Sequence, residues 1–346
     1  MIFLPLPQGE RKRAEGGKSL TEDATTRLAD IYRRFGEREA VSRSPLYVEL
    51  CNGIAGDGEF LSLLVQLPLE KRQPNLLLAA VKYLYGVAAD WPDFRNRALA
   101  HWPEVEAVIR TRRTQTNEPA RCATLLPLLA LLPPPLALLE VGASAGLCLL
   151  PDFYSYDFAG RSVAPTKAAP DAPLFRCAAN LATPVPAGNL DIVWRAGLDL
   201  NPLDPTDPGD TRWLEALVWP GEGDRARLLR QALAVAGRDP PRVVKGDLRH
   251  DLARLAGEAP KNATLVVFHT AVLAYVQDHA DRVAFGDTIK ALGAQWVSNE
   301  GAEIINRPGE PPAPWGNFLL SLNGQGVAHT DAHGTAIDWF APLPLT

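Results

Sequence analysis

The first third of the chain carries apolar residues at the spacing of an α-helix. One apolar face with the i, i+3, i+4, i+7 period is formed by Leu28, Ile31, Tyr32 and Phe35. Ser44 and Pro45 are typical of a helix start, because serine caps free backbone N–H groups and proline fits the first turn. Further helices are predicted over 58–67, 74–89, 103–115 and 119–132. The pattern predicts an α-helical N-terminal domain over 20–133, preceded by a flexible leader over 1–19.

The pattern changes after the three prolines at 133–135. Short apolar runs, typical of buried strands, occupy 136–141, 190–198, 242–245, 263–268, 295–298 and 317–322. Helical stretches at 211–236, 271–276 and 279–292 lie between several of them. Strands that alternate with helices favour a parallel sheet covered on both faces. We therefore predict an α/β domain over 134–346, with an insertion at about 151–189.

Composition narrows the class of protein. The 346 residues are 47% hydrophobic and 22% charged, which excludes a disordered chain. A net charge of −5 is unfavourable for general binding of nucleic acid or of an anionic membrane. No apolar run reaches the roughly 18 residues of a membrane span. The four cysteines lack zinc spacing, and we interpret them as reduced, mostly buried thiols of a cytoplasmic protein that holds no metal.

The strongest local motif is a buried strand followed by a turn of small residues, Glu140-Val141-Gly142-Ala143-Ser144-Ala145-Gly146, and then a helix start. One interpretation is a nucleotide-binding turn, in which the backbone approaches a ligand closely and Glu140, Gly142, Ser144 and Gly146 lie beside it. A second interpretation is a G-x-S-x-G nucleophile elbow, with Ser144 as nucleophile and His329 or His333 as base. The third is a tight turn that binds nothing.

Polar residues also follow the other predicted strands. Asp199 and Asp247 end two of them, where a carboxylate can accept hydrogen bonds from ribose hydroxyls or an adenine amino group. His269 and Glu300 end two more and are candidate proton acceptors for catalysis. Each residue also has a structural interpretation: Asp199 as the start of a turn, Asp247 as a helix cap, His269 as a core histidine and Glu300 as a helix cap or surface residue. Because ligands bind at the carboxyl ends of parallel strands, these residues together predict a ligand site.

This order of strands and acids resembles the sheet of class I S-adenosylmethionine-dependent methyltransferases. The resemblance implies a Rossmann-like fold, S-adenosylmethionine as cofactor, and a cofactor site at Glu140, Gly142, Ser144, Gly146, Asp199 and Asp247. One departure is the 53-residue distance from Gly146 to Asp199, about twice that of the family, which implies the insertion.

Two further segments are distinctive. In TRRTQTNEPARC, over 111–122, Gln115, Asn117, Glu118 and Arg121 could hydrogen-bond a substrate, although a capped loop between helices explains them as well. Tyr275 is a further candidate that would close over substrate, or else a core residue at helical spacing. In DTRWLEALVWP, over 210–220, Trp213 and Trp219 are interpreted as core anchors.

The strings TQTNEPARC, EVGASAGL, GLDLNPLD, RWLEALVWP and SNEG together resemble the bacterial domain-of-unknown-function family 2332 over about 20–346. The family carries no established activity. The expectation is a methyltransferase-like enzyme that acts on a small molecule. The alternatives are a serine hydrolase that uses Ser144 and a non-catalytic binding protein on the same sheet.

Overall fold

The computed structural model describes residues 20–115, 117–167, 169–301, 304 and 318–343. These residues form two compact units. One is built from the described residues of Pro5–Thr116 and Thr211–Ala226, and the other from those of Asn117–Asp210 and Arg227–Thr346. The division therefore lies earlier than the prolines at 133–135. The predicted leader over 1–19 lies outside the described residues.

The first unit is helical. Its helices are α1 (Leu20–Phe35), α2 (Pro45–Gly56), α3 (Gly58–Leu64), α4 (Pro74–Tyr85), α5 (Trp91–Ala100) and α6 (Trp102–Thr111). Ser44 caps α2 as expected, since its side chain accepts a hydrogen bond from the Tyr47 N–H. Sequence periodicity does not predict α5, which has only two buried residues, Phe94 and Ala98. Trp213 and Trp219 are buried in this unit, as their interpretation as core anchors requires.

The second unit contains a nine-stranded sheet and a separate three-stranded one. Its elements begin with α7 (Arg121–Leu129), β1 (Leu136–Val141), β2 (Ser155–Phe158), β3 (Arg161–Val163), β4 (Leu174–Arg176), β5 (Ala178–Ala179) and β6 (Ile192–Asp199). They continue with α8 (Pro208–Leu217) and α9 (Gly223–Arg238), each of which extends into the residues of the first unit, and β7 (Val243–Lys245). The remainder comprises α10 (Leu252–Ala256), β8 (Thr264–Thr270), α11 (His279–Ala291), β9 (Gln295–Gly301), β10 (Phe318–Leu322), β11 (Gln325–Thr330) and β12 (Ala336–Trp339).

The order of the large sheet is β5-β12-β11-β10-β9-β8-β1-β6-β7. Strands β7, β6, β1, β8 and β9 are parallel neighbours. Strands β10, β11 and β12 form an antiparallel meander, whose last two strands were not predicted. The expected mixed α/β class is confirmed. The chain moves outward from β1 in one direction through β6 and β7, and in the other through β8 and β9.

The apolar core on one face of the sheet joins β1, β6 and β8 to α10 and α11. It includes Leu139, Leu198, Leu255, Val267 and Phe285. On the other face, the Asn299 amide bonds the Thr124 hydroxyl of α7 across 3.4 Å. The region predicted as an insertion forms a β2–β3 hairpin with β4 parallel to β2, and β5 pairs with β12. Within the described ranges no helix has the length and apolarity that a bilayer crossing demands.

Candidate functional site

The turn after β1 holds an unusual backbone. Gly142, Ser144 and Gly146 have φ angles of 72°, 51° and 71°, in the left-handed region that favours glycine. The Ser144 N–H donates to the Asp199 carboxylate at 2.8 Å, which anchors the turn to the end of β6. The predicted helix start is wrong: two short 3-10 turns follow, over Leu147–Leu149 and Pro151–Phe153. The turn therefore lacks the helix N-terminus that would bind a phosphate.

The glycines of this turn lie against the protein's own side chains. A Cβ built on Gly142 would lie 2.4 Å from a methyl group of Val272, in the loop after β8. A Cβ built on Gly146 would lie 2.6 Å from the ring of Pro241, just before β7. At two of the three left-handed positions, the absence of a side chain therefore lets other side chains of the protein pack closely against the backbone. Nothing in the sequence pattern indicated Val272 or Pro241 as the neighbours.

Glu140 lies at the end of β1 and is 4% exposed. Its Oε2 has no hydrogen-bond partner among the described residues, and neither has the buried Ser144 hydroxyl. Burial raises the pKa of the Glu140 carboxyl well above its ordinary value; Cys148 and Asp199 add to the rise, and Arg121 opposes it. Buried polar atoms in native proteins are almost always hydrogen-bonded. Two orphaned oxygens close together in sequence therefore mark a place where a polar partner fits.

Glu140→Gln should stabilise the protein at neutral and alkaline pH. The pKa of Glu140 is raised by folding, so the wild type loses stability as pH rises from the unfolded value through the folded one. Glutamine does not ionise, and the variant avoids that loss. Thermal unfolding from pH 4 to pH 8 should show a higher midpoint for the variant at pH 8 and a shrinking difference towards pH 4. A variant less stable than wild type at pH 8 would contradict this account.

Asp199 ends β6 and Asp247 follows the neighbouring strand β7, but both already bind protein groups. Asp199 accepts from the N–H of Asn201 at 2.7 Å, in addition to that of Ser144. Asp247 is paired with the Arg249 guanidinium at 2.6 Å, and hydrogen bonds from Arg249 lower the pKa of Asp247 to about 2. The Asp247 N–H donates to Asp251. Asp199 therefore starts a turn, as its structural interpretation requires. Asp247 caps no helix, because its carboxylate accepts from the Arg249 N–H in a turn and α10 has Asp251 at its N-cap. Any ligand must share the oxygens of both residues.

His269 and Glu300 form a fully buried pair across β8 and β9. The His269 Nδ1 lies 2.6 Å from Glu300 Oε1, and the Trp296 indole N–H donates to His269 Nε2 at 2.9 Å. An indole nitrogen only donates, so Nε2 is the acceptor and Nδ1 carries the proton. Both ring nitrogens are engaged and His269 is 0% exposed. This geometry argues against His269 as a catalytic base and supports its interpretation as a core histidine.

Glu300 is equally inaccessible. Its Oε1 also accepts from the backbone N–H groups of Val272 and Leu273, at 2.8 and 3.2 Å. The carboxylate therefore fixes the loop that places Val272 against Gly142. The surface interpretation of Glu300 is wrong, whereas the capping interpretation is close, because Val272 and Leu273 are the N-cap and first residue of the 3-10 turn Leu273–Tyr275. The indole of Trp296 was not anticipated, because an aromatic residue inside an apolar strand gives no sequence signal of a hydrogen bond.

The predicted substrate residues lie in different surroundings. Arg121 is 3% exposed and donates to the carbonyl oxygens of Ala332 and Thr270, which gives it a structural role. Asn117 belongs to the same unit, and its Nδ2 is buried without a hydrogen-bond partner among the described residues. Gln115 belongs to the helical unit. Tyr275 lies in a 3-10 turn after β8 and is 52% exposed.

A second histidine–carboxylate pair was not predicted. His333 Nδ1 lies 3.1 Å from Glu118 Oε2, and Glu118 is 4% exposed. The Cys148 thiol donates to the Glu118 carbonyl at 3.5 Å. Glu118 stands in the segment singled out at 111–122, but its partner lies 215 residues away and nothing local indicates it.

The geometry gives no support to the hydrolase alternative. The Ser144 hydroxyl has no hydrogen-bond partner in the described part of the chain, so neither His329 nor His333 bonds it.

All four cysteines are free, and all are buried, as expected. Among the described residues, no group of three or more His, Cys, Asp or Glu could hold a metal ion.

The fold and site together define an α/β protein with a buried acidic residue where the strand order reverses. The chain belongs to the family described as an uncharacterized protein conserved in bacteria, domain of unknown function 2332, whose model matches residues 29–339. No match was found among curated proteins or among solved structures.

Proposed function

We propose that this protein binds S-adenosylmethionine at the carboxyl end of β1 and is a methyltransferase that acts on a small molecule. The observation that carries the proposal is the pair of orphaned, buried oxygens of Glu140 and Ser144 at the point where the strand order reverses. In open α/β sheets, ligands bind in the crevice at that point. The sulfonium and ammonium groups of S-adenosylmethionine are cationic and suit a buried carboxylate.

The order of strands supports the same proposal. Glu140 and Asp199 lie at the ends of β1 and β6, and Asp247 lies two residues after β7; the three strands are adjacent and parallel. The three carboxyl groups therefore lie along one edge of the sheet, in the sequence expected for the methionine, ribose and adenine parts of the cofactor. Asp199 accepts hydrogen bonds from the N–H groups of Ser144 and Asn201, so ribose hydroxyls would have to share its oxygens.

The residues at the turn also limit how the cofactor enters. Val272 and Pro241 lie where a ligand would approach Gly142 and Gly146. Binding thus requires Val272 to move, and the Glu300 bonds to the N–H groups of Val272 and Leu273 hold that loop in place. S-adenosylmethionine, when bound, supplies an electrophilic methyl group. In this account Glu140 binds and orients, and Glu300 acts as a positioning residue.

Calorimetric titration of the whole chain with S-adenosylmethionine and S-adenosylhomocysteine tests the proposal. We expect saturable binding of at least one of them, weakened about tenfold or more in Glu140→Gln, since a charge-assisted hydrogen bond contributes roughly 1.5–3 kcal/mol. The matched control is Glu106→Gln, a half-buried glutamate that pairs with Arg110 in the helical unit. No heat with either ligand, in a sample whose circular dichroism shows it folded, would overturn the proposal.

The non-catalytic alternative is the second candidate. The packing of Val272 and Pro241 against the glycines favours it, because a sheet that has lost its cofactor would fill the space with its own side chains. It predicts no binding in the titration above. The hydrolase alternative predicts that a fluorophosphonate probe labels Ser144, and labelling would contradict both other accounts.

A further inference from the structure

Two segments that the sheet site does not use meet in the helical unit. Arg112, from the segment over 111–122, lies with its guanidinium carbon 5.7 Å from the ring centre of Tyr83 and 5.9 Å from that of Trp213. Arg212, from the segment over 210–220, lies 4.3 Å from the same Tyr83 ring. The rings of Tyr83 and Trp213 pack edge to face at 5.7 Å. One tyrosine therefore contacts two guanidinium groups.

Further cationic groups surround this pair. The Lys71 ammonium donates to the Arg112 carbonyl at 2.7 Å. Burial lowers the pKa of Lys71, Arg113 adds to the lowering, and the neighbouring Glu70 opposes it. The Trp213 indole N–H donates to the Arg113 carbonyl at 3.0 Å. These two bonds fix the backbone of residues 112–113. We name Lys71, Arg112, Arg113 and Arg212 the basic cluster.

The basic cluster concentrates positive charge in a chain whose net charge is −5. Like charges repel, so such a group is most stable with an anion beside it. Hydrogen bonds from Arg212 and Arg112 to the Tyr83 hydroxyl lower the pKa of Tyr83 against the opposing effect of burial, as guanidiniums do beside an oxygen that can become negative. Stacking on an aromatic ring keeps a guanidinium plane in a fixed orientation.

We propose that the basic cluster is a binding site for a phosphate group of a small molecule. A carboxylate carries one charge and is satisfied by one guanidinium fork, whereas two guanidiniums with Lys71 and Arg113 suit a doubly charged anion. Tyr83, Arg112 and Lys71 are half-buried, and Arg212 and Arg113 are exposed, which leaves the cluster reachable from solvent. The inference does not rest on the proposed function, since all of its residues lie in the helical unit.

Titration of the whole chain with pyrophosphate at low ionic strength tests the inference. We expect saturable binding that weakens about tenfold or more in Arg112→Gln and in Arg212→Gln, because each loses a charge-assisted fork. Arg212→Lys keeps the charge but loses the paired N–H donors of the guanidinium, so its affinity for pyrophosphate should lie between that of the glutamine variants and that of the wild type. The matched control is Arg110→Gln, since Arg110 is exposed, lies on α6 and pairs with Glu106. No binding at millimolar pyrophosphate, or equal loss in the control, would overturn the inference.

Tyr83 supplies an independent measurement in the wild-type protein. Pyrophosphate should raise the pKa of Tyr83, followed by phenolate absorbance and assigned with Tyr83→Phe, because the anion neutralises the guanidiniums that lower it. An unchanged titration would contradict the proposed site.

Acetate and single-stranded oligothymidylate complete the comparison. Tighter binding of acetate would show a carboxylate site, and affinity that grows with oligonucleotide length would show a nucleic-acid surface; either would overturn the phosphate assignment.

Discussion

Replacing Arg121 with alanine should lower the free energy of unfolding by about 3–5 kcal/mol, the cost of removing one partner from a buried charged network. The guanidinium is buried and donates to the Ala332 carbonyl at 2.8 Å and to the Thr270 carbonyl at 3.1 Å. It also lies 5.3 Å from the Phe318 ring centre. Without it, two carbonyl groups lose their donor and Glu140 loses the charge that opposes its raised pKa.

Urea denaturation of the wild type and the variant measures this loss. The control is Arg254→Ala in the same unit, whose side chain is 57% exposed and pairs with Asp251 at 3.5 Å. Exposed ion pairs contribute about 0–1 kcal/mol, so the control should change little. A loss below about 1 kcal/mol for Arg121→Ala would contradict a structural role and return Arg121 to the substrate-binding candidates.

Gly334→Ala should lower the free energy of unfolding by about 3 kcal/mol or more. Gly334 has a φ of 79°, and a Cβ there would lie 2.1 Å from the Ala120 carbonyl oxygen and 2.7 Å from the Arg121 nitrogen. Left-handed backbone costs an L-residue roughly 1–2 kcal/mol, and overpacking adds roughly 1–3 kcal/mol. The contact is to main chain, which cannot turn aside as a side chain can. The turn before β12 therefore packs directly against the backbone at the start of α7.

Gly293→Ala is the control that separates the cost of backbone strain from the cost of overpacking. Gly293 also has a left-handed φ, of 64°, but a Cβ there would meet nothing within 4 Å. Its substitution should cost only the backbone strain of about 1–2 kcal/mol. Equal losses in the two alanine variants, measured by urea denaturation, would show that the close approach of Gly334 to Ala120 does not limit the fold.

The parallel part of the sheet was predictable because each of its strands is a short apolar run that ends in a polar residue. Strand β1 has the predicted bounds, and the others lie within a few residues of theirs. Strands β11 and β12 were not predicted, because Gln325–Thr330 and Ala336–Trp339 mix polar and apolar residues in antiparallel pairing. Their stability depends on partners distant in sequence, which a local pattern does not show.

The location of the candidate site was predictable from the sequence, but the roles of most of its residues were not. Polar residues at predicted strand ends gave the candidates Glu140, Asp199, Asp247, His269 and Glu300. The structure places four of them in the last two positions of β1, β6, β8 and β9, and Asp247 two residues after β7. Position at a strand end does not show which oxygens already have donors. The Trp296 bond to His269 and the Arg249 bond to Asp247 depend on side-chain directions that no spacing rule fixes. The packing of Val272 against Gly142 is equally a tertiary contact.

A crystal structure of the protein grown with S-adenosylhomocysteine tests the central claim most directly. We expect ligand density at the carboxyl end of β1, with a ligand nitrogen within hydrogen-bond distance of Glu140 Oε2 and with Val272 displaced from Gly142. Density elsewhere, or a structure in which Val272 and Pro241 keep their contacts with Gly142 and Gly146 at saturating ligand, would contradict the claim.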